Sequence, residues 1–133
     1  MKLLAILIIT ASILSPAYAE TITKEKPVKH MEVAEVTSLK DAKIIFAEKS
    51  EELKSKKVLD VAELQQIHVI TYTLEKSIEY FTLNLAAEQQ DLSKDIAVIV
   101  ENIHINSENN RKEDTAQYLK EYFELAEQLK STL

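Results

Sequence analysis

Apolar side chains recur along this chain at steps of three and four, and the pattern breaks into four runs. Ser38 precedes Leu39 with Asp41 in the first turn, and Leu39, Ala42, Ile45, Phe46 and Leu53 follow at helical spacing. This predicts a first helix over about Ser38 to Lys56, with Lys54, Lys56 and Lys57 at the negative end of its dipole. Asp60 followed by Glu63 reads as a capping box. Behind it Leu64, Ile67, Thr71, Leu74, Ile78, Phe81 and Leu85 form the clearest stripe in the protein. A third run from Asp91 to Glu108 sets Leu92, Ile96, Ile99 and Ile103 on one face, with Val100 beside them. The fourth opens at Asn110 and carries Ala116, Leu119, Phe123, Ala126, Leu129 and Leu133. Asn109 stands where a helix usually ends on glycine, because asparagine tolerates the left-handed conformation.

Helices of this length joined by short connections favour antiparallel neighbours, so the expected fold is all-α, an up-down-up-down four-helix bundle over residues 38–133. A rival reading runs the second stripe on through Glu88 and Leu92 into Ile96, since neither glycine nor proline interrupts it. That single long rod would leave apolar surface uncovered and would need a second copy, a homodimer, to bury it. The turn at Glu88-Gln89-Gln90-Asp91, with Asp91 as the next N-cap, favours separate helices.

The first nineteen residues follow different rules. Met1-Lys2 is a short positive stretch, Leu3 to Leu14 is an apolar run too short to span a bilayer, and Ala17-Tyr18-Ala19 is a small-x-small cleavage site. Residues 1–19 are therefore expected to be a signal peptide cleaved after Ala19, leaving a soluble periplasmic protein with no membrane insertion after processing. Residues 20–37 are polar, contain Pro27 and show no periodicity, which predicts a flexible tail.

Composition narrows the chemistry. The 133 residues include no cysteine and no glycine. The first absence excludes disulfides, thiolate metal sites and covalent haem attachment; the second excludes glycine-rich phosphate loops. A net charge of −6 with a single arginine, Arg111, offers no footprint for nucleic acid. No serine sits in a nucleophile-elbow context, and Tyr72, Tyr80, Phe81, Tyr118, Tyr122 and Phe123 lie at core or boundary spacing. The expectation is a protein that is not an enzyme, an interaction or structural module whose partner the sequence leaves open.

The alternative is metal handling, with copper, zinc or nickel as the ion. His30, His68 and His104 are the strong nitrogen ligands on offer. His68 and His104 each follow a core isoleucine, and in an antiparallel pair they approach the same height. Glu101 precedes His104 by three, the helical spacing of carboxylate-rich metal bundles, although Gln65 stands where a second such glutamate would be needed. His30 lies eight residues before Ser38, and at ~3.3 Å per residue an extended tail could carry it back along the bundle. The simpler role for the pair is as half-buried polar groups, His104 with Glu101 or Glu108 and His68 against Tyr72. Haem is a second alternative. The b-type cytochrome bundles resemble the expected fold, but the fourth helix here ends Gln128-Leu129-Lys130-Ser131-Thr132-Leu133, without the histidine they use.

The stretch ELQQIHVITYTLEKS from Glu63 to Ser77, with VENIHINSEN from Val100 to Asn109, resembles an uncharacterised family of small exported helical proteins from proteobacteria. The likeness rests on Ile67, His68, Thr71, Tyr72, Thr73, Leu74 and Glu75, on His104, Ser107 and Glu108, and on the tail pair His30-Met31. It implies a periplasmic helical domain and draws interest to the histidines, without implying an activity.

Overall fold

The computed structural model describes residues 31–133, so the expected signal peptide, most of the tail and His30 lie outside the described residues. Within them the chain is all-helical with no strand: α1 Leu39–Ser55, α2 Val61–Asn84, α3 Ala87–Glu108 and α4 Lys112–Lys130. Two of the expected starts stand as read. The Ser38 hydroxyl accepts the Asp41 N–H at 3.1 Å, and the Asp60 carboxylate accepts the Glu63 N–H at 2.9 Å. Glu63 reaches back to the N–H groups of Val58 and Leu59 at 2.8 and 2.7 Å. Those bonds hold Leu59 at a φ of 52°, a left-handed conformation costly for a leucine, with its side chain buried.

The rod reading fails, and so does the expected position of the turn. Glu88 to Asp91 are helical, and the chain breaks at Leu85 and Ala86, both in extended conformation. Side-chain amides replace glycine and proline there. Gln90 donates to the Leu85 carbonyl at 2.7 Å, Asn84 to the Tyr80 carbonyl at 2.8 Å, and Gln89 accepts from the Ala86 N–H at 3.3 Å. Backbone groups orphaned by ending one helix and starting another are thereby satisfied.

The next turn is displaced by one residue from expectation. Asn110, not Asn109, takes the left-handed conformation with φ 54°. The Asn110 N–H donates to the Ser107 carbonyl at 3.1 Å and the Arg111 N–H to the Asn106 carbonyl at 2.9 Å. This is a Schellman ending, in which the left-handed residue lies two beyond the last helical one. Arg111, rather than Asn110, then becomes the N-cap of α4.

The core is continuous through the four helices. Phe46 and Leu53 from α1, Leu64, Ile67, Leu74, Ile78 and Phe81 from α2, Ile96, Val100 and Ile103 from α3, and Leu119, Ala126 and Leu129 from α4 share it. Consecutive helices pack on one another, and α1 also meets α4. There the buried Ser50 and Tyr122 hydroxyls lie 2.6 Å apart, the Phe46 and Tyr122 rings meet edge to face, and the Lys43 ammonium donates to the Leu133 carbonyl. Residues 31–37 have no regular structure, but Val36 packs against the core and Glu35 pairs with Lys76 of α2 at 2.8 Å.

Two substitutions test the glycine-free turn. Replacing Asn110 with glycine is expected to leave stability unchanged or slightly higher. Asn110→Val should cost about 1–2 kcal/mol, because a β-branched residue resists the left-handed conformation. Urea unfolding of the two variants measures the difference.

Candidate functional site

On α2 the residues His68, Thr71, Tyr72 and Glu75 recur at three and four and face α3 across the helix interface. On α3 they meet His104 and, four positions on, Glu108. His104 is 3% exposed, which makes it the most deeply buried ionisable side chain on that helix. The two imidazoles are in contact, with ring centroids 4.5 Å apart, and Tyr72 stands edge-on to both, at 5.1 Å from His68 and 4.8 Å from His104. One ligand atom from each of His68, His104 and Glu108 lies within 4.8 Å of the other two.

Hydrogen bonds orient the rings. The Thr71 hydroxyl donates to the His68 carbonyl at 2.7 Å and lies 2.9 Å from His104 Nδ1. Glu75 Oε1 is 3.4 Å from the same nitrogen, near enough for charge attraction though long for a hydrogen bond. The Tyr72 hydroxyl lies 3.3 Å from His68 Nε2 and also takes a hydrogen bond from the Met31 backbone. His68 Nδ1 is buried with no hydrogen-bond partner among the described residues. A buried polar atom left without a partner costs about 1–3 kcal/mol, a cost the neighbouring His104 backbone offsets in part, since it raises the His68 pKa.

The electrostatics push the rings apart. The Glu75 carboxylate beside it raises the His104 pKa above its ordinary value of 6.5, against the opposing effect of burial, and Glu101 and Glu108 add to the rise. Burial lowers the His68 pKa below 6.5, and the neighbouring His104 lowers it further. Glu108 also sits in the last turn of α3, where the carbonyl end of the helix dipole is negative and where no basic residue compensates it. Carboxylates and helix end together make a negative potential around two imidazoles.

The expected residues are distributed unevenly. His68 and His104 are brought together, His30 lies outside the described residues, and Glu101 is exposed. Glu101 is not one of the three residues that converge; it borders a groove with Glu75, Ile78, Glu79, Thr82 and Ala97, and acts on His104 through its charge alone. The carboxylate that joins the imidazoles is Glu108, which the spacing argument treated only as a hydrogen-bond partner. Interhelical register explains the difference. Gln65 meets Asn110 at 3.3 Å, so the first turn of α2 extends beyond the end of α3 and His68 lies level with its last turn. Glu101 then falls level with Glu75, one helical step further up. A signal for Glu108 was present in its four-residue spacing from His104, but only the register could choose it over Glu101.

A planar macrocycle between two axial imidazoles has to be interleaved between them, and rings already in contact leave no layer for it. No described helix is long and apolar enough to cross a membrane.

The model of a family of unknown function, DUF6746, matches residues 1–131, and the chain belongs to that family. No curated protein and no solved structure matches it.

The opposed shifts predict two separate imidazole titrations by NMR, His104 above 6.5 and His68 below it. The sign for stability follows. A raised folded pKa stabilises below 6.5, and that contribution is lost as pH rises through the folded value. The stability difference between wild type and Glu75→Gln should therefore be largest below pH 6.5 and shrink as pH rises through the folded His104 value, measured by denaturant unfolding across pH.

Proposed function

We propose that this member of the DUF6746 family is a non-enzymatic, exported protein that holds one divalent transition-metal ion between α2 and α3, through His68, His104 and Glu108. The observation that carries the reading is the convergence of one ligand atom each from His68, His104 and Glu108 within 4.8 Å of one another. Tetrahedral bonds of ~2 Å need ligand atoms somewhat closer than that, a gap that small side-chain rotations close. Two imidazoles and a carboxylate make a borderline donor set suited to zinc, copper(II), nickel or cobalt, and the absence of cysteine removes the thiolates that would favour softer ions. A fourth position is left for water or for another ligand. His30, a ligand on the sequence reading, is one candidate for it.

An antiparallel up-down-up-down arrangement fits this site. Contacts between the first half of α1 and the end of α4, and between the first half of α2 and the end of α3, support it. Export rests on the leader-like residues 1–19, and the periplasm is the compartment we assign. An interaction module without a ligand is the second reading. Its support is the exposed Val58, Val61 and Val69 on and just before α2, apolar side chains that the core does not use.

The test is a thermal melt of the chain beginning at Glu20 with zinc, copper(II), nickel and cobalt in turn. A site filled at one hundred times its Kd adds about 2.7 kcal/mol, so a clear rise in Tm is expected for at least one ion. That rise should vanish in His68→Ala/His104→Ala and fall in Glu108→Gln. The same titration on His30→Ala tests the tail histidine: an unchanged affinity excludes it. A wild-type melt indifferent to all four ions removes the metal reading and leaves the interaction module. Mass spectrometry of the exported protein is expected to find Glu20 at its N-terminus.

A further inference from the structure

Thr71 and Glu75 do not belong to the three-residue cluster, yet both converge on one atom of it. The Thr71 hydroxyl has a single proton, and the His68 carbonyl, which can only accept, lies 2.7 Å away. With that proton engaged, the hydroxyl meets His104 Nδ1 at 2.9 Å as an acceptor. Glu75 Oε1, 3.4 Å from the same nitrogen, is also an acceptor when ionised. A hydroxyl whose own proton is engaged, 2.9 Å from Nδ1, and a carboxylate oxygen 3.4 Å away that makes no other hydrogen bond both favour a hydrogen on that nitrogen. A lone pair on Nδ1 would face a carboxylate with nothing between them, inside an interface where His104 is 3% exposed.

We infer that Thr71 and Glu75 are positioning residues that fix His104 as its Nδ1–H tautomer, so that Nε2 carries the ring's lone pair. The inference rests on the metal reading above for its ligand but not for the tautomer, which is a property of the protein with no ion bound. The consequence is chemical. A carboxylate on the far nitrogen orients the ring and makes the ligating nitrogen a better donor, as in carboxylate–histidine–metal triads. The arrangement is asymmetric, because His104 Nδ1 is met by a hydroxyl and a carboxylate, whereas His68 Nε2 faces the neutral Tyr72 hydroxyl. One histidine has an anionic support and the other a phenolic one. Such a site suits a borderline divalent ion with an imidazole preference, zinc above all, over magnesium or calcium, whose oxygen-rich shells it cannot supply.

The experiment reads the tautomer and the affinity separately. Long-range proton–nitrogen correlation on uniformly 15N-labelled protein without metal, recorded above the His104 pKa, is expected to show a protonated Nδ1 and an unprotonated Nε2 for His104. Thr71→Ser should keep that signature. Thr71→Val combined with Glu75→Gln should lose it, giving a mixture of tautomers, and zinc affinity by competitive titration should fall about 10–100-fold relative to wild type. Thermal melts of the metal-free variants separate a loss of fold from a loss of positioning. A protonated Nε2 in the wild type overturns the inference whatever the protein binds. Zinc affinity unchanged in the double variant overturns the positioning role. A wild type with the expected tautomer and no affinity for zinc or the other three ions overturns the metal reading while the tautomer assignment stands.

Discussion

Two imidazoles in contact at the interface of α2 and α3 impose the constraint on which the rest of the site depends. Rings this close cannot both be charged without cost, and burial penalises charge on either. The interface resolves this by treating them differently. His104 receives Glu75 and the Thr71 hydroxyl and is biased toward its charged form, whereas His68 receives a neutral phenol and is biased toward its uncharged one. A purely structural pair could have been satisfied with fewer groups. Here one imidazole nitrogen is buried without a hydrogen-bond partner, and Glu108 stands beside both rings.

The turns that bring these residues together contain no glycine. Ending α2 at Asn84 uses three side-chain amides, and ending α3 at Glu108 uses an asparagine in the left-handed position. Each device sets where a helix stops, and the stopping point sets register. The Schellman ending leaves Glu108 as the last helical residue, in line with His104. Turn chemistry and ligand geometry are thus linked through one residue's position on a helix.

Much of this was legible beforehand. The periodic stripes marked the four helices, and the Ser38 and Asp60 caps located two starts to the residue, since capping is a local contest between a side chain and the backbone. The pairing of His68 with His104 followed from chain direction and rise per residue. The break between α2 and α3 was misplaced because the residues at the true break, Leu85 and Ala86, carry no turn propensity of their own. It forms there because Phe81 and Leu92 are both drawn to the core and the chain between them has to reverse.

By itself the sequence determined the all-helical class, the apolar faces, the absence of cysteine and of a basic run, and the two histidines that meet, since these depend on composition and on spacing along one helix. Only the tertiary structure decided between Glu101 and Glu108, and only it put Thr71 and Glu75 on the same nitrogen of His104. Both decisions turn on the axial offset of two helices. That offset is set by packing summed over the whole interface and by where the turns at either end allow each helix to stop, and no local pattern encodes it.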